Sequence, residues 1–140
     1  MKHAISLDDL QFQRSFEAFE IEPKSFDHFA HVRMAYIYLC QHSTEEAAQR
    51  MKASLLSFLE HLGVGRAKFH ETVTIAWTKA VRHFMERSVH SASSAEFIAS
   101  NPRLLNTQIM LLHYSAQLLF SETARSTYLK PDLAPIPEHC

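Results

Sequence analysis

Four histidines and one glutamate are the residues of this 140-residue chain whose types and spacing are best suited to chemistry. His28 and His31 lie three positions apart, so on a helix their side chains share one face. His70 and Glu71 begin the stretch that leads into the most apolar predicted helix, and His113 ends a later one. Neutral imidazole is the commonest protein ligand for transition metals, and a nearby carboxylate can act as a ligand or a base. The pattern predicts a metal site with these four histidines as ligands.

Glu71 directly follows His70, so the two side chains point about 100° apart on an ideal helix. That offset favours Glu71 as a general base or as an outer partner of the ligands, rather than as a ligand itself. The run His70-Glu71-Thr72-Val73-Thr74 begins like the zinc-protease motif, but Thr74 occupies the position of its second histidine, which excludes that class. The predicted cofactor is a divalent transition metal: iron, zinc, copper, nickel or manganese.

Five further side chains would complete such a site. Arg33 and Arg125 are the predicted anchors for an anionic substrate. Thr74 and Trp77 share one side of a helix with the histidine at its start, and they are predicted to contact the substrate. Tyr114 is predicted to be the proton-transfer group as an alternative to Glu71. Each candidate also has a plainer interpretation, because first-turn histidines and acids commonly serve as caps and a tryptophan at core spacing is usually buried.

Polar caps and apolar stripes divide the chain into helices. Ser6, Ser25 and Ser43 are the predicted N-caps of the first three helices, and Ser43 begins a capping-box pattern. Gly63 is well placed as the left-handed residue that ends the third. The predicted helices cover about residues 6–22, 26–40, 43–62, 68–87, 94–100, 102–113 and 121–128, and a proline-rich tail over 130–137 is predicted to be extended.

Short connections favour antiparallel neighbours, so the second and fourth helices should run in the same direction. Their amino-terminal ends then meet at one end of the bundle, and the helix that ends at His113 should return to the same place. Only two glycines and five prolines argue against an all-β fold. The sequence therefore predicts one all-α domain over residues 1–140: an antiparallel bundle of four main helices with shorter carboxyl-terminal helices.

Composition excludes several classes of protein. The hydrophobic fraction is 46%, the charged fraction is 21% and the formal net charge is −1, so the chain has the composition of a globular protein. It has no basic block that would bind nucleic acid. The longest apolar run, residues 34–40, is too short to cross a membrane, and the amino terminus lacks a signal peptide's apolar region. Two cysteines are too few for a disulfide framework. A cytoplasmic protein without a membrane partner is expected.

Several motifs resemble a group of small, uncharacterised bacterial proteins. They are the H-x-x-H-x-R pattern within residues 26–33, the H-E-T-x-T pattern at 70–74 followed by Trp77, the H-Y-S run at 113–115 and the P-D-L-x-P-x-P run at 131–137. The resemblance covers nearly the whole chain from residue 26 onward. It implies a bacterial origin and adds no reaction, because the group has no established activity.

Two hypotheses of different classes follow. The first is a metal-dependent enzyme that acts on a small molecule, and hydrolysis, oxygenation and isomerisation are all compatible with the predicted ligands. The second is a non-catalytic helical module that binds a ligand, or that pairs with itself as a homodimer through an exposed apolar face. The second hypothesis predicts histidines that are scattered or satisfied by protein groups, and no polar pocket on which they converge.

Overall fold

The computed structural model describes residues 3–139, and within that range the regular secondary structure is helical, apart from one isolated bridge between His3 and Ser91. The predicted all-α class is therefore confirmed. The α-helices are α1 (Leu7–Glu17), α2 (His28–Gln41), α3 (Thr44–His61), α4 (Glu71–Arg87), α5 (Ser94–Ser100), α6 (Ala116–Leu119) and α7 (Glu122–Ser126). Short 3-10 turns occupy Pro23–Ser25, Gly65–Lys68, Pro102–Leu105 and Thr107–Leu112.

Several residues at the helix ends act as caps, as their residue types predict. Ser6 forms a capping box with Asp9 at the start of α1, in which each side chain accepts a hydrogen bond from the other residue's backbone N–H. Ser43 caps α3 by accepting from the backbone N–H of Glu46, whose carboxylate pairs with a histidine side chain nearby. Gly63 has a φ of 77° directly after α3, which confirms it as the left-handed residue there.

Several predicted boundaries are wrong. The first helix ends at Glu17 instead of residue 22, and the short helix Ala116–Leu119 was not predicted. Three further differences each have a local reason. The second helix begins at His28 instead of residue 26, because Asp27 rather than Ser25 is its N-cap. The fourth begins at Glu71 instead of residue 68, because His70 is its N-cap. The predicted α-helix over 102–113 is two 3-10 turns, since Asn106 is extended and its side chain accepts from the next turn's backbone.

The four main helices form the bundle, and α2 lies at its centre. Residues 34–39 of α2 are all buried, so this helix is covered on every side. It packs against α3 and α4, while α1 and α5 cover its remaining faces. The buried apolar side chains form one continuous cluster that also includes Tyr114 and, from the proline-rich tail, Ile136. Among residues 3–139, no helix combines the length and apolarity that spanning a bilayer requires.

Polar contacts show the relative directions of α2, α3 and α4. Arg82, near the end of α4, donates to Thr44 at the start of α3 and to the backbone carbonyl of His42 just beyond α2. Lys52, in the middle of α3, donates to Glu71 at the start of α4. Helix α3 therefore runs antiparallel to α4, while α2 and α4 run in the same direction. Their amino-terminal ends lie side by side against the second half of α3, as the sequence predicted.

Candidate functional site

A pocket of about 550 Å³ opens where the starts of α2 and α4 meet the end of α3, and we call it the histidine pocket. Three of the four predicted metal ligands, His28, His31 and His70, lie in its wall. Its other lining residues are mainly apolar, and the whole set is Pro23, Phe26, Asp27, His28, His31, Leu55, Phe58, Leu59, Leu62, Val64, Lys68, Phe69, His70, Val73 and Thr74.

His31 has a buried nitrogen that no protein group satisfies. Its Nε2 atom is covered and has no hydrogen-bond partner among the described residues. Burial, and then the charge of neighbouring His28, lower the pKa of His31 from its ordinary value of 6.5 to about 4. The imidazole is therefore neutral at pH 7. A buried polar atom without a partner is unusual and costs stability, which makes this side chain the strongest indication of a binding function.

His28 is held in place by its surroundings. Its Nε2 lies 2.8 Å from the backbone carbonyl of Leu104 and donates to it, so that nitrogen is occupied. Its ring packs edge-on against the indole of Trp77, with 4.5 Å between ring centroids. The centroids of His28 and His31 are 6.5 Å apart, so both rings lie within reach of one small molecule. His28 therefore presents an oriented ring with Nδ1 as its remaining nitrogen.

His70 is the N-cap of α4, and both of its ring nitrogens are occupied. Its Nδ1 accepts a hydrogen bond of 3.1 Å from the backbone N–H of Val73, so Nδ1 carries no proton. Its Nε2 therefore carries the proton and donates to the carbonyl of Leu119 at 2.8 Å. Burial lowers the pKa of His70, as does the charge of Arg125, although the bond to Leu119 raises it. This neutral imidazole positions the wall of the pocket and has no lone pair left for a metal.

The geometry does not assemble the predicted metal ligands. Among residues 3–139, no group of three or more histidine, cysteine, aspartate or glutamate side chains is arranged to hold a metal ion. His70 lacks a free lone pair, and His113 lies at a different cavity, beside the proline-rich tail, where its Nδ1 is 2.7 Å from the carbonyl of Ala134. The predicted convergence therefore includes three histidines and does not extend to His113. Binding of a divalent transition metal stays a prediction.

Glu71, a predicted base, lies at the start of α4 but is not part of the wall of the histidine pocket. Only 7% of this residue is exposed, and its Oε2 accepts from the ammonium of Lys52 at 3.0 Å. Its Oε1 is buried without a partner. The carboxylate thus links α4 to α3 by an ion pair of which one oxygen remains unsatisfied.

Two predicted substrate contacts fall at or next to the pocket. Thr74 lines it, but its hydroxyl donates to the carbonyl of His70 one turn earlier, so the hydroxyl proton is occupied. Trp77 is 4% exposed and belongs to the core. It reaches the pocket only through its contact with His28, which agrees with the plainer interpretation of a core tryptophan.

The remaining candidates hold the fold together away from the histidine pocket. Arg33 bonds Asp9 and Ser94 and lies over the ring of Phe12, which ties α1 to α2 and α5. Tyr114 is fully buried and donates to the carbonyl of a tail residue, Leu129, at 2.6 Å.

Arg125 lies in α7, where it donates to the carbonyl of Ala67 and lines a separate surface depression.

Burial and then the phenol of Tyr128 raise the pKa of the Tyr114 hydroxyl well above its ordinary value, which does not suit a proton shuttle at neutral pH.

Sequence reasoning missed the apolar wall of the pocket. Leu55, Leu59 and Leu62 belong to the apolar stripe at the end of α3 and remain half-buried, although Phe58 among them is buried. An apolar stripe of this kind indicates a helix that packs against the core. Its spacing does not distinguish a helix end that is fully packed from a helix end that borders a cavity. Asp27 and Lys68 add opposite charges to the lining. Their positions beside the two histidine-bearing helix starts were the available signal.

Comparison with known proteins adds no functional information: no protein-family model matches the chain, and no curated protein or solved structure is significantly similar to it.

Proposed function

We propose that the protein binds a small, mainly apolar organic molecule in the histidine pocket, and that the ligand donates a hydrogen bond to His31. The observation that carries the proposal is the buried Nε2 of His31, which has no partner among residues 3–139. A neutral imidazole has one nitrogen that donates a hydrogen bond and one that accepts, and the lowered pKa keeps the ring neutral at pH 7. We assign the accepting role to Nε2. A hydroxyl, phenol or amide N–H group is the matching donor.

The size and lining of the pocket agree with this class of ligand. A volume of about 550 Å³ lies within the range of roughly 300 to 1,000 Å³ that is typical of small-molecule sites. Apolar side chains make up most of the wall, and the imidazoles of His28 and His31 are among the few polar groups that give such sites their specificity. Because Nε2 of His31 is covered, binding requires a small shift of the side chains that cover it.

A ligand screen tests the proposal. Ligand-observed NMR with a library of alcohols, phenols and amides is run against the wild type, His31→Leu and His90→Leu. His90 is exposed and lies outside the pocket, so His90→Leu is a matched control for the substitution. Donor-bearing compounds should bind the wild type and the control, and they should bind His31→Leu at least about tenfold more weakly, because each 1.4 kcal/mol lost is a factor of ten. Equal binding by His31→Leu would contradict the proposal.

A transition-metal-dependent enzyme at the same pocket is the second candidate. Its supporting observation is that His28 and His31 share one face of α2, with each ring keeping a nitrogen outside any hydrogen bond to the described residues. Two imidazoles would leave most of the coordination sphere to water or substrate. Elemental analysis after loading with each candidate metal should then find near-stoichiometric metal that is lost in His28→Ala and His31→Ala but retained in His113→Ala. Metal that is equally retained in all three variants would exclude this candidate.

A further inference from the structure

A second cavity, larger than the histidine pocket, lies on another face of the bundle. It has a volume of about 700 Å³ and runs between the second half of α4, the 3-10 turns of residues 102–112 and the tail at 134–137. We call it the basic groove. Apolar side chains form its floor and walls, and they include Phe84, Ile109, Met110, Leu112 and Ile136.

Every charged or titratable side chain that lines the basic groove is basic. These residues are Arg87, Arg103, His83 and His113, and no aspartate or glutamate is among the lining residues. Arg87 and Arg103 are exposed and make no ion pair within residues 3–139, whereas Arg33 and Arg82 each pair with a carboxylate. In a chain whose net charge is −1, this concentration of unpaired positive charge is local.

The basic groups lie close enough to influence one another. Burial lowers the pKa of His83, and the neighbouring charges of His139, Arg87 and His113 lower it further. His83 and His139 also share a hydrogen bond of 3.0 Å between their ring nitrogens. Two acids of the tail are held by other groups: Glu138 pairs with Lys79, and Asp132 accepts from the backbone N–H and the hydroxyl of Ser115. Among residues 3–139, no carboxylate lines the groove to offset its basic side chains.

Contacts of the tail keep the groove in shape. The ring of His113 donates from Nδ1 to the carbonyl of Ala134, and the backbone N–H of Leu133 donates to the carbonyl of His113. Ile136 is 7% exposed and is anchored in the core. The tail therefore forms one wall of the groove and leaves the groove's interior open.

We infer that the basic groove binds an amphipathic anion, a medium-chain fatty carboxylate, whose head group pairs with Arg87 and Arg103 while its alkyl chain lies on the apolar wall. Arginine suits this role because its planar guanidinium binds a carboxylate through two parallel hydrogen bonds. The apolar floor distinguishes this ligand from a small inorganic anion, which would gain nothing from Phe84 and Met110. The site is separate from the histidine pocket and independent of its proposed function.

Isothermal titration calorimetry with dodecanoate, kept below its micelle concentration, tests the inference. The double variant Arg87→Gln/Arg103→Gln removes the proposed head-group contacts. The double variant Arg14→Gln/Arg50→Gln removes the same charge from exposed positions outside the groove. Dodecanoate should bind the wild type and the control alike, and it should bind the groove variant at least about tenfold more weakly, because the carboxylate loses its charge-assisted hydrogen bonds to the two guanidinium groups.

Two further measurements make the test specific. Dodecanol has the same chain without the charge, and as an alcohol it is also a candidate ligand of the histidine pocket, so it is compared with dodecanoate in the His31→Leu variant. There it should bind at least about tenfold more weakly than dodecanoate does. Bound dodecanoate should raise the pKa of His83 in an NMR titration, because a carboxylate beside the imidazole offsets the charges of Arg87, His113 and His139. Equal binding of dodecanol, unchanged binding by the groove variant or no binding of dodecanoate would each overturn the inference. His31→Leu should bind dodecanoate normally, which separates this result from the fate of the histidine pocket.

Discussion

Replacing His31 by leucine should make the protein more stable while it removes ligand binding. Leucine is apolar and similar in size, so it fills the same space without leaving a buried nitrogen unpaired. A buried polar group without a partner costs about 1 to 3 kcal/mol, and most of that cost should be recovered. At pH 7 we therefore expect His31→Leu to raise the free energy of unfolding by about 1 kcal/mol.

The gain should increase as the pH falls, since His31 has a pKa of about 4 in the folded protein and an ordinary value of 6.5 when it is exposed. Below pH 6.5 the unfolded chain binds a proton at this position that the folded protein does not. Folding stability that depends on the neutral imidazole is therefore lost as the pH falls from 6.5 towards 4. At 1.36 kcal/mol for each pH unit, the loss by pH 4.5 is about 2.5 kcal/mol.

Urea unfolding at pH 7, 6, 5 and 4.5, followed by circular dichroism, measures both effects. Subtracting the wild-type curve from that of His31→Leu cancels the carboxylates and other histidines that titrate in both proteins. His90→Leu should show no such difference, because His90 is exposed and outside the pocket. Two results would refute the reasoning: a His31→Leu protein less stable than the wild type at pH 7, or a difference between the two proteins that does not change with pH.

Three other variants test contacts that hold the fold. Asp9→Ala should lower the free energy of unfolding by about 3 kcal/mol in a urea titration, because it leaves the guanidinium of Arg33 without its buried partner; a loss below 1 kcal/mol would contradict this. Tyr114→Phe should cost about 1 to 2 kcal/mol, because the carbonyl of Leu129 loses its donor, and it should leave ligand binding unchanged. His70→Ala should cost about 1 kcal/mol or more, whereas His70→Asn, which retains a capping oxygen, should be less destabilising by thermal unfolding.

The helical fold could be predicted largely because its signals are local. Ser6, Ser43 and Gly63 cap helices by bonds to residues a few positions away, so their types alone indicate the boundaries. The meeting of α2 and α4 followed from short connections, which leave neighbouring helices little choice of direction. That is why His70 could be placed at one pocket with His28 and His31, which lie far from it in sequence. His70 was harder to place, because an imidazole is a rare N-cap and the helix was predicted to begin earlier.

The predictions that were wrong concern residues whose contacts depend on long-range packing, or a segment in which a side chain competes with helix formation. Asn106 interrupts a stretch with good helical spacing by bonding its own backbone, so the segment before His113 turns as 3-10 structure and leads elsewhere. Arg33 pairs with Asp8 and Asp9 because α1 packs on α2, and the sequence pattern of α2 alone does not show that contact. The free nitrogen of His31 is likewise a property of the assembled core, since no pattern in sequence tells a satisfied imidazole from an unsatisfied one.

His31 is, in our proposal, a neutral imidazole that accepts a hydrogen bond from the ligand. Long-range proton–nitrogen NMR of the histidine rings tests it most directly, recorded between pH 7 and 4.5 without ligand and again with a compound from the screen. We expect His31 to stay neutral down to about pH 4.5, and we expect the chemical shift of its accepting nitrogen to change when the compound binds. A His31 ring that titrates near pH 6.5, or whose nitrogen chemical shifts do not change with any bound compound, would contradict the proposed role of His31.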